Sequence, residues 1–485
     1  MVKLALVAVT MVVFWSPLMG EIHHVPGEFA TIQEAIIASV DGDTVLIARG
    51  LYVENINFRG RNITVASEFI LDHNPETIIA TIIDGGSPAA TDTGSCVIIN
   101  SGEDSTAVLE GLTLTNGIGT KWVDEHGAGT YVEGGGILIQ YSSPTIRNNH
   151  IVGNFAIRVY SNALSAGGGG IRVGDGTPAI LNNVVRDNEG LYGGGIVLNY
   201  TGGTVRNNVI ANNRVYPATS APTFGGGGIW MTQNFGTNVK VIENNTIYGN
   251  SVTGTGGGGF SGKGGGILVS STNPVIRNNI VWGNTQVLAG PIATIGGAVP
   301  LVSFSDIEGG FTGGGNINAD PMVSDTSFYL QAGSPCIDTG DSAASYNDPE
   351  DPLNTGFAQW PALGSLRNDM GAYGGPGSAV LGSFLITSVI EGDDSILPER
   401  TLLRQNFPNP FNPETEIQFR TAEAGNVSLR IYDLLGREVA SLFEGHLDAG
   451  NHMQRWNAAG QAAGVYFYRL TTGTTTEARR LILLR

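Results

Sequence analysis

The chain has 485 residues, enough to bury a large core, and carries a net charge of −18. Lysine stands only at Lys3, Lys121, Lys240 and Lys263, so there is no basic face to neutralise phosphates and a nucleic-acid partner is excluded. Glycine, at 71 residues, is roughly double its usual ~7% share but shows no period of three, which excludes a collagen helix.

The N-terminus has one cation, Lys3, followed by an apolar run of 12 residues from Leu4 to Trp15. That run is short of the ~20 residues needed to cross a bilayer. With Ser16, Pro17 and Gly20 behind it, it reads as a secretory signal peptide over residues 1–20. No later stretch is apolar enough to span, so the mature chain is expected to have no transmembrane segment. The two cysteines, Cys96 and Cys336, are expected as separate buried thiols acting as small hydrophobes rather than as a disulfide.

Residues 22–68 begin the folded part. Thr31 is placed to cap a short amphipathic helix, IQEAIIASV, and GDTVLIARGLY reads as a strand. This T-I-Q-x-A-I…G-D-T-V pattern resembles the opening of the pectate-lyase-like family of right-handed β-helices. The resemblance implies that the helix plugs an otherwise open first coil, where apolar side chains and strand edges would face water.

A repeat follows. Glycine blocks precede Ile137, Ile171, Ile196, Ile229 and Ile267, at spacings of 34, 25, 33 and 38 residues. Each block leads to the signature N-N-x-[IV]-x-x-N, from Asn148-Asn149 to Asn154 and, in the last copy, from Asn278-Asn279 to Asn284. Self-similarity at this period signals a solenoid, propeller or array. The runs between are short, β-rich and bounded by glycine, three per repeat, with no helical period. They predict an all-β fold: a right-handed parallel β-helix (solenoid) of about ten coils, with like residues stacked ~4.8 Å apart. Asparagine suits the corners, because it tolerates left-handed backbone and its amide both donates and accepts. Asn149, Asn183, Asn208, Asn245 and Asn279 are therefore expected to form a ladder. The extra residues of the longer repeats all fall between the last asparagine and the next glycines, the edge where function is expected.

Residues 305–375, with SPCIDTGD at 334–341, resemble the terminal coils of secreted bacterial β-helix proteins. In that resemblance the segment closes the solenoid, and Asp338, Asp341, Asp348 and Asp369 are candidate calcium ligands, with turn-capping aspartates as the alternative. The β-helix is assigned to residues 22–375 and a linker to 376–401. The final unit, 402–485, shows alternating strands joined by turns, a small Ig-like β-sandwich. Its QNFPNPFNP, YDLLGREV and GVYFYRL segments and its basic, apolar last strand closely resemble the C-terminal sorting domain of type IX secretion cargo. The resemblance implies a partner in that machinery, passage through the periplasm, and a place outside the cell or on the outer-membrane surface.

Candidate chemistry is sparse. Asp124, Glu125 and His126 form an acidic and imidazole cluster in the longest insertion, as an acid/base group or as a solvated loop. With the isoleucines inward, Trp230 points outward in a column with Leu138, Arg172, Val197 and Leu268, and Tyr248 and Trp282 do likewise. Together with Trp122 these residues are candidates for stacking on sugar rings, or for covering the sheet. A second outward column, Arg147, Leu181, Arg206, Glu243 and Arg277, reads as a charge ladder between coils. The expected work is binding of extracellular polysaccharide by a monomer. The alternatives are a polysaccharide lyase or glycosidase with a divergent site, and an adhesin or spacer.

Overall fold

Glycine blocks are where successive coils meet backbone to backbone. In the computed structural model the glycine three residues before each isoleucine takes a left-handed backbone, as at Gly134 with φ 66°, which no β-carbon favours. A β-carbon on the next, Gly135, would sit 2.3 Å from the carbonyl oxygen of Gly169 in the coil above. The described residues are 20–378, except 91, 125, 128, 157–162, 216–224, 255–260 and 325–326. In the last unit they are 402, 403, 406, 411 and 413–483, except 422–423, 434–436, 448–449 and 474–475. Most of the signal segment and of the linker thus lies outside them, as does Glu125.

The chain divides into two units, residues 1–385 and 386–485. In the first, each coil contributes a strand to successive parallel sheets. The glycine-led sheet has eight strands, Ile137–Gln140 and Ile171–Gly174 among them. The second sheet has ten, including Thr145–Arg147, and the third nine, including His150–Val152. Ten strands fit the expected coil number. A fourth sheet of two-residue strands, from Phe155–Ala156 to Thr285–Gln286, was not legible as a strand because two residues carry no period. Register is strict: Ile137, Ile171, Ile196, Ile229 and Ile267 stack in one line, all with no solvent exposure. Each buried isoleucine contributes roughly 1.5–3 kcal/mol of hydrophobic stabilisation.

The asparagine ladder is present and saturated. The Asn149 main-chain N–H and side-chain amide both donate to Asn183 Oδ1 at 3.0 and 3.1 Å, and Asn183 repeats this to Asn208, Asn208 to Asn245, and Asn245 to Asn279. Ser305 takes the place after Asn279. The closing asparagine of the signature builds a second ladder, Asn154, Asn188, Asn213, Asn250 and Asn284. At its N-terminal end the thiol of Cys96 donates to Asn154 Oδ1. Both cysteines are free and buried, as expected.

The first coil is plugged by the helix Ile32–Ala38, with Thr31 and Glu34 in a capping box and Ile32, Ala35 and Ile36 fully buried. The other end differs from expectation. Phe311 and Ala298 pack against the last interior residues, whereas the 334–341 segment lies on the outer side of the third sheet, with Cys336 and Met370 against Ile280. From there residues 368–375 run back across the coils as a strap. The left-handed first asparagine of the last three N-N pairs holds it: Asn278 O accepts Gly371 N, Asn244 Nδ2 donates to Asp369 O, and Asn207 Nδ2 donates to Ala372 O and Gly374 O. The physical reason is that an inward ladder uses only the second asparagine, leaving the first free to bind backbone outside.

The second unit has two antiparallel sheets. One holds Leu402–Leu403, Glu414–Thr421 and Gly450–Asn457. The other holds Gly425–Tyr432, Glu438–Leu447, Gly464–Thr471 and Thr476–Leu483. Between them lie Ile417, Phe419, Leu429, Ile431, Trp456 and Tyr468, a small sandwich.

Candidate functional site

The outward column of the glycine-led sheet has the expected register, Leu138–Arg172–Val197–Trp230–Leu268, but it is not an open surface. The insertion after Asn116 forms an antiparallel hairpin, Gly119–Asp124 with Gly129–Glu133, extended by Ser165–Gly167. This hairpin and Tyr192 roof the column, and Leu138, Arg172, Val197 and Leu268 are buried. Aromatic residues therefore pack on one another: Trp122 lies 4.0 Å from the Arg172 guanidinium, and Tyr192 meets Trp230 edge-on at 4.8 Å. Trp122, Tyr131 and Trp230 stay half-buried.

Arg172 is 1% exposed and spent inside the protein, which corrects its reading as a ligand contact. Its Nε lies 2.9 Å from Glu133 Oε2, and its Nη1 donates to Gln140 Oε1. Glu133 also accepts from Trp122 Nε1 and Tyr192 OH. A buried charge pair needs such additional donors to offset its desolvation. Burial and the adjacent Glu133 carboxylate push the Tyr192 hydroxyl well above the usual phenol range. The chain of bonds continues from Gln140 Nε2 to Asp175 Oδ2 at 2.7 Å, and from Asp175 Oδ1 to His126 Nε2 at 2.8 Å. His126 stacks flat on Tyr200 at 3.7 Å. Asp175 and Tyr200 belong to a corner column with Tyr141, all with left-handed backbone at φ 48–55°, a conformation that costs free energy outside glycine.

Of the expected Asp124, Glu125 and His126 cluster, Glu125 lies outside the described residues, and the other two side chains point to different partners. Asp124 is buried and its Oδ1 accepts the His126 main-chain N–H at 2.7 Å, closing the hairpin turn. Of the two described residues, His126 is the one that reaches the network. Tyr248 and Trp282 are in register on the third sheet, but Phe328 covers Tyr248 at 5.5 Å, and Trp282 packs beside Leu330 and Val323. They line the seat of the C-terminal segment instead of an open face. The charge column is aligned as expected, yet its ion pairs run from Arg147 to Glu110 at 2.7 Å and from Arg277 to Asp341 at 3.6 Å. Burial raises the Glu243 carboxyl and outweighs the lowering by Arg277 and Arg206.

The four aspartates do not fit a calcium ion, because main-chain N–H groups point at them. Asp338 accepts from Ser365 N, Asp369 from Asp338 N and Leu363 N, and Asp348 from Asp369 N and Gly375 N. Asp341 accepts Ala343 N in its own turn. No group of three or more His, Cys, Asp or Glu among the described residues is placed to hold a metal. Burial, with the neighbouring carboxylates, pushes Asp348 up to about 8 and Asp369 up to about 7. These are turn-building carboxyls that anchor the strap.

Glu133, Gln140, Asp175, Tyr131, Tyr192 and Tyr200 escaped sequence reading. The hairpin residues lie in an insertion with no repeat to align, and Tyr192 sits between two signatures. The recurring corner after each glycine-led strand was the one available signal for Asp175 and Tyr200.

No helix of the described residues is long and apolar enough to cross a membrane. Among known proteins, no curated protein and no solved structure matches the chain. Two family descriptions do. The secretion system C-terminal sorting domain matches residues 405–484 and marks the chain for type IX export to the cell surface or extracellular space. The right-handed β-helix region matches residues 27–289, more than half of the chain. With its parallel sheets wound coil on coil, the chain belongs to the right-handed β-helix family.

Proposed function

We propose that the exported β-helix is a monomeric polysaccharide-binding protein, delivered through the periplasm after removal of a signal peptide, and that the hairpin-roofed side of the glycine-led sheet is its binding face. The observation that carries this reading is the convergence on one side of half-buried Trp122, Tyr131 and Trp230 with the Tyr141–Asp175–Tyr200 corner and His126. Flat rings offer apolar faces to sugar C–H groups, and the corner supplies hydroxyl, carboxylate and imidazole partners for sugar hydroxyls. The buried Arg172–Glu133 pair keeps the rings in place. Kinship to the pectate-lyase-like branch is part of the proposal, without its lyase activity. The described carboxylates on this face, Glu133 and Asp175, are already engaged in hydrogen bonds, unlike a poised acid/base pair.

A glycan array probed with the mature protein tests the reading, with a parallel assay for release of unsaturated or reducing sugars. Binding without turnover, weakened by Trp122→Ala, is expected. Turnover would establish the lyase or glycosidase alternative. Neither binding nor turnover would leave an adhesin or spacer.

A further inference from the structure

The segment between Pro349 and Arg367 takes no part in the solenoid, yet it is closely tied. Asp351 N donates to Phe357 O at 2.9 Å, Phe357 N to Asn354 O at 3.1 Å and Gln359 N to Pro349 O at 2.7 Å. The side chains of Glu350 and Asp351 are used inside the loop, accepting Gly356 N and Leu353 N at 2.8 Å each. Short bridges pair Glu350 with Ala358 and Phe357 with Ser365. Such a loop is preorganised. It nevertheless turns its apolar side chains outward: Leu353 is 95% exposed, Trp360 54% and Phe357 53%.

Trp360 is also backed. Its ring lies 4.9 Å from Tyr329, which lies 4.3 Å from Tyr373, whose hydroxyl donates to Ser327 O at 2.6 Å. Tyr373 is buried against Phe328 and against Val184 and Val209 of the third sheet. The indole thus stands on a fixed aromatic stack with about half its surface open to water, at a general cost in apolar exposure that a plain loop would avoid.

We infer that Trp360, with exposed Phe357 on the same loop, is a second carbohydrate platform that stacks on the apolar face of a neutral, hydroxyl-rich polysaccharide. Charge selects this occupant. The loop's own ionised groups are acidic, the chain carries −18, and an anionic lipid surface or acidic glycan would be repelled. The exposed amides of Asn354 and Gln359 on the same loop supply donors and acceptors suited to hydroxyls. A stacked indole, fixed before binding, loses little entropy on contact. This platform stands on the third sheet's side and is separate from the hairpin-roofed face, so either can fail alone.

Retention of the mature protein and of Trp360→Ala, Trp360→Phe and Trp122→Ala on insoluble neutral glucan and chitin, beside an acidic polysaccharide, tests the inference. The expected result is binding to a neutral polymer weakened about ten-fold by Trp360→Ala and partly restored in Trp360→Phe. Both Trp360 variants should keep the melting temperature, since residue 360 is more than half exposed. Unchanged retention in Trp360→Ala, or retention on the acidic polymer alone, overturns the inference whatever Trp122→Ala does. A concentration-dependent dimer in sedimentation that Trp360→Ala abolishes overturns it too, assigning the surface to a second copy.

Discussion

Replacing Asn208 by leucine removes one rung from the middle of the inward ladder while keeping the branched side-chain skeleton and its number of heavy atoms. In the native coil Asn208 Oδ1 accepts Asn183 N at 2.9 Å and Asn183 Nδ2 at 3.0 Å. Its own Nδ2 donates to Ile180 O at 2.9 Å and Asn245 Oδ1 at 3.0 Å. Asn208 is fully buried, so water cannot replace these partners. Asn183 Nδ2 keeps Ile146 O, and Asn245 Oδ1 keeps the Asn208 main-chain N–H. The Asn183 main-chain N–H and the Ile180 carbonyl lose the side-chain partners that Asn208 gave them. At about 1–3 kcal/mol for each such group, the cost is about 2–6 kcal/mol. In a solenoid this cost is local to one coil interface, so the damage should spread as weaker protection of neighbouring coils. The assay is urea unfolding combined with amide exchange, against Arg147→Leu as control. Arg147 is exposed, and Glu110, although buried, keeps the Asn148 Nδ2 donor at 2.8 Å, so loss of this pair should cost less than loss of a ladder rung. If Asn208→Leu is no worse than Arg147→Leu, or the amide of Asn183 exchanges as slowly as before, the ladder is not what holds the coils in register.

The remaining tests address the strap, the buried pair and the tail. Asp348 and Asp369 have folded values of about 8 and about 7 against an ordinary 3.8, so the folded state holds protons that the unfolded state has shed. Their contribution is therefore fully present below about pH 4 and lost as pH rises through 7 to 8. Amide protection across residues 368–375 should fall over that range, and Asp348→Asn should flatten the fall; a pH-independent strap would contradict the burial argument. Arg172→Met should cost about 3–5 kcal/mol by stranding the Glu133 carboxylate, and Glu133→Gln in the same chain should recover much of it in thermal melts; additive losses would show that the two do not form one unit. Deleting residues 402–485 should leave the β-helix folded but held in the periplasm, by immunoblot of cell fractions; its continued appearance in the medium would refute the sorting role.

What the sequence disclosed follows from how the fold stores information. A parallel coil writes every inward position several times, so Ile137 and its four successors, or Asn149 and its four, can be aligned against each other without a structure. The same logic gave the outward register of Arg172 and Trp230 correctly. It could not give their exposure, because what covers them is written once. The hairpin at 119–133 has no second copy in the chain, and the strap at 368–375 reaches coils more than a hundred residues earlier, as from Asp369 to Asn244. Each N-N pair was likewise legible as a corner, while its division of labour was not. Both residues look alike in sequence, yet the left-handed backbone at Asn207 and Asn244 turns the first amide outward onto Ala372 and Asp369. Repetition thus reveals the scaffold, and the single-copy segments that lie across it decide which of its faces meets the outside. In this chain those segments carry Trp122, His126 and Trp360, so a search for ligand contacts starts on the insertions and takes in repeated positions such as Trp230 and Asp175 only where the insertions adjoin them.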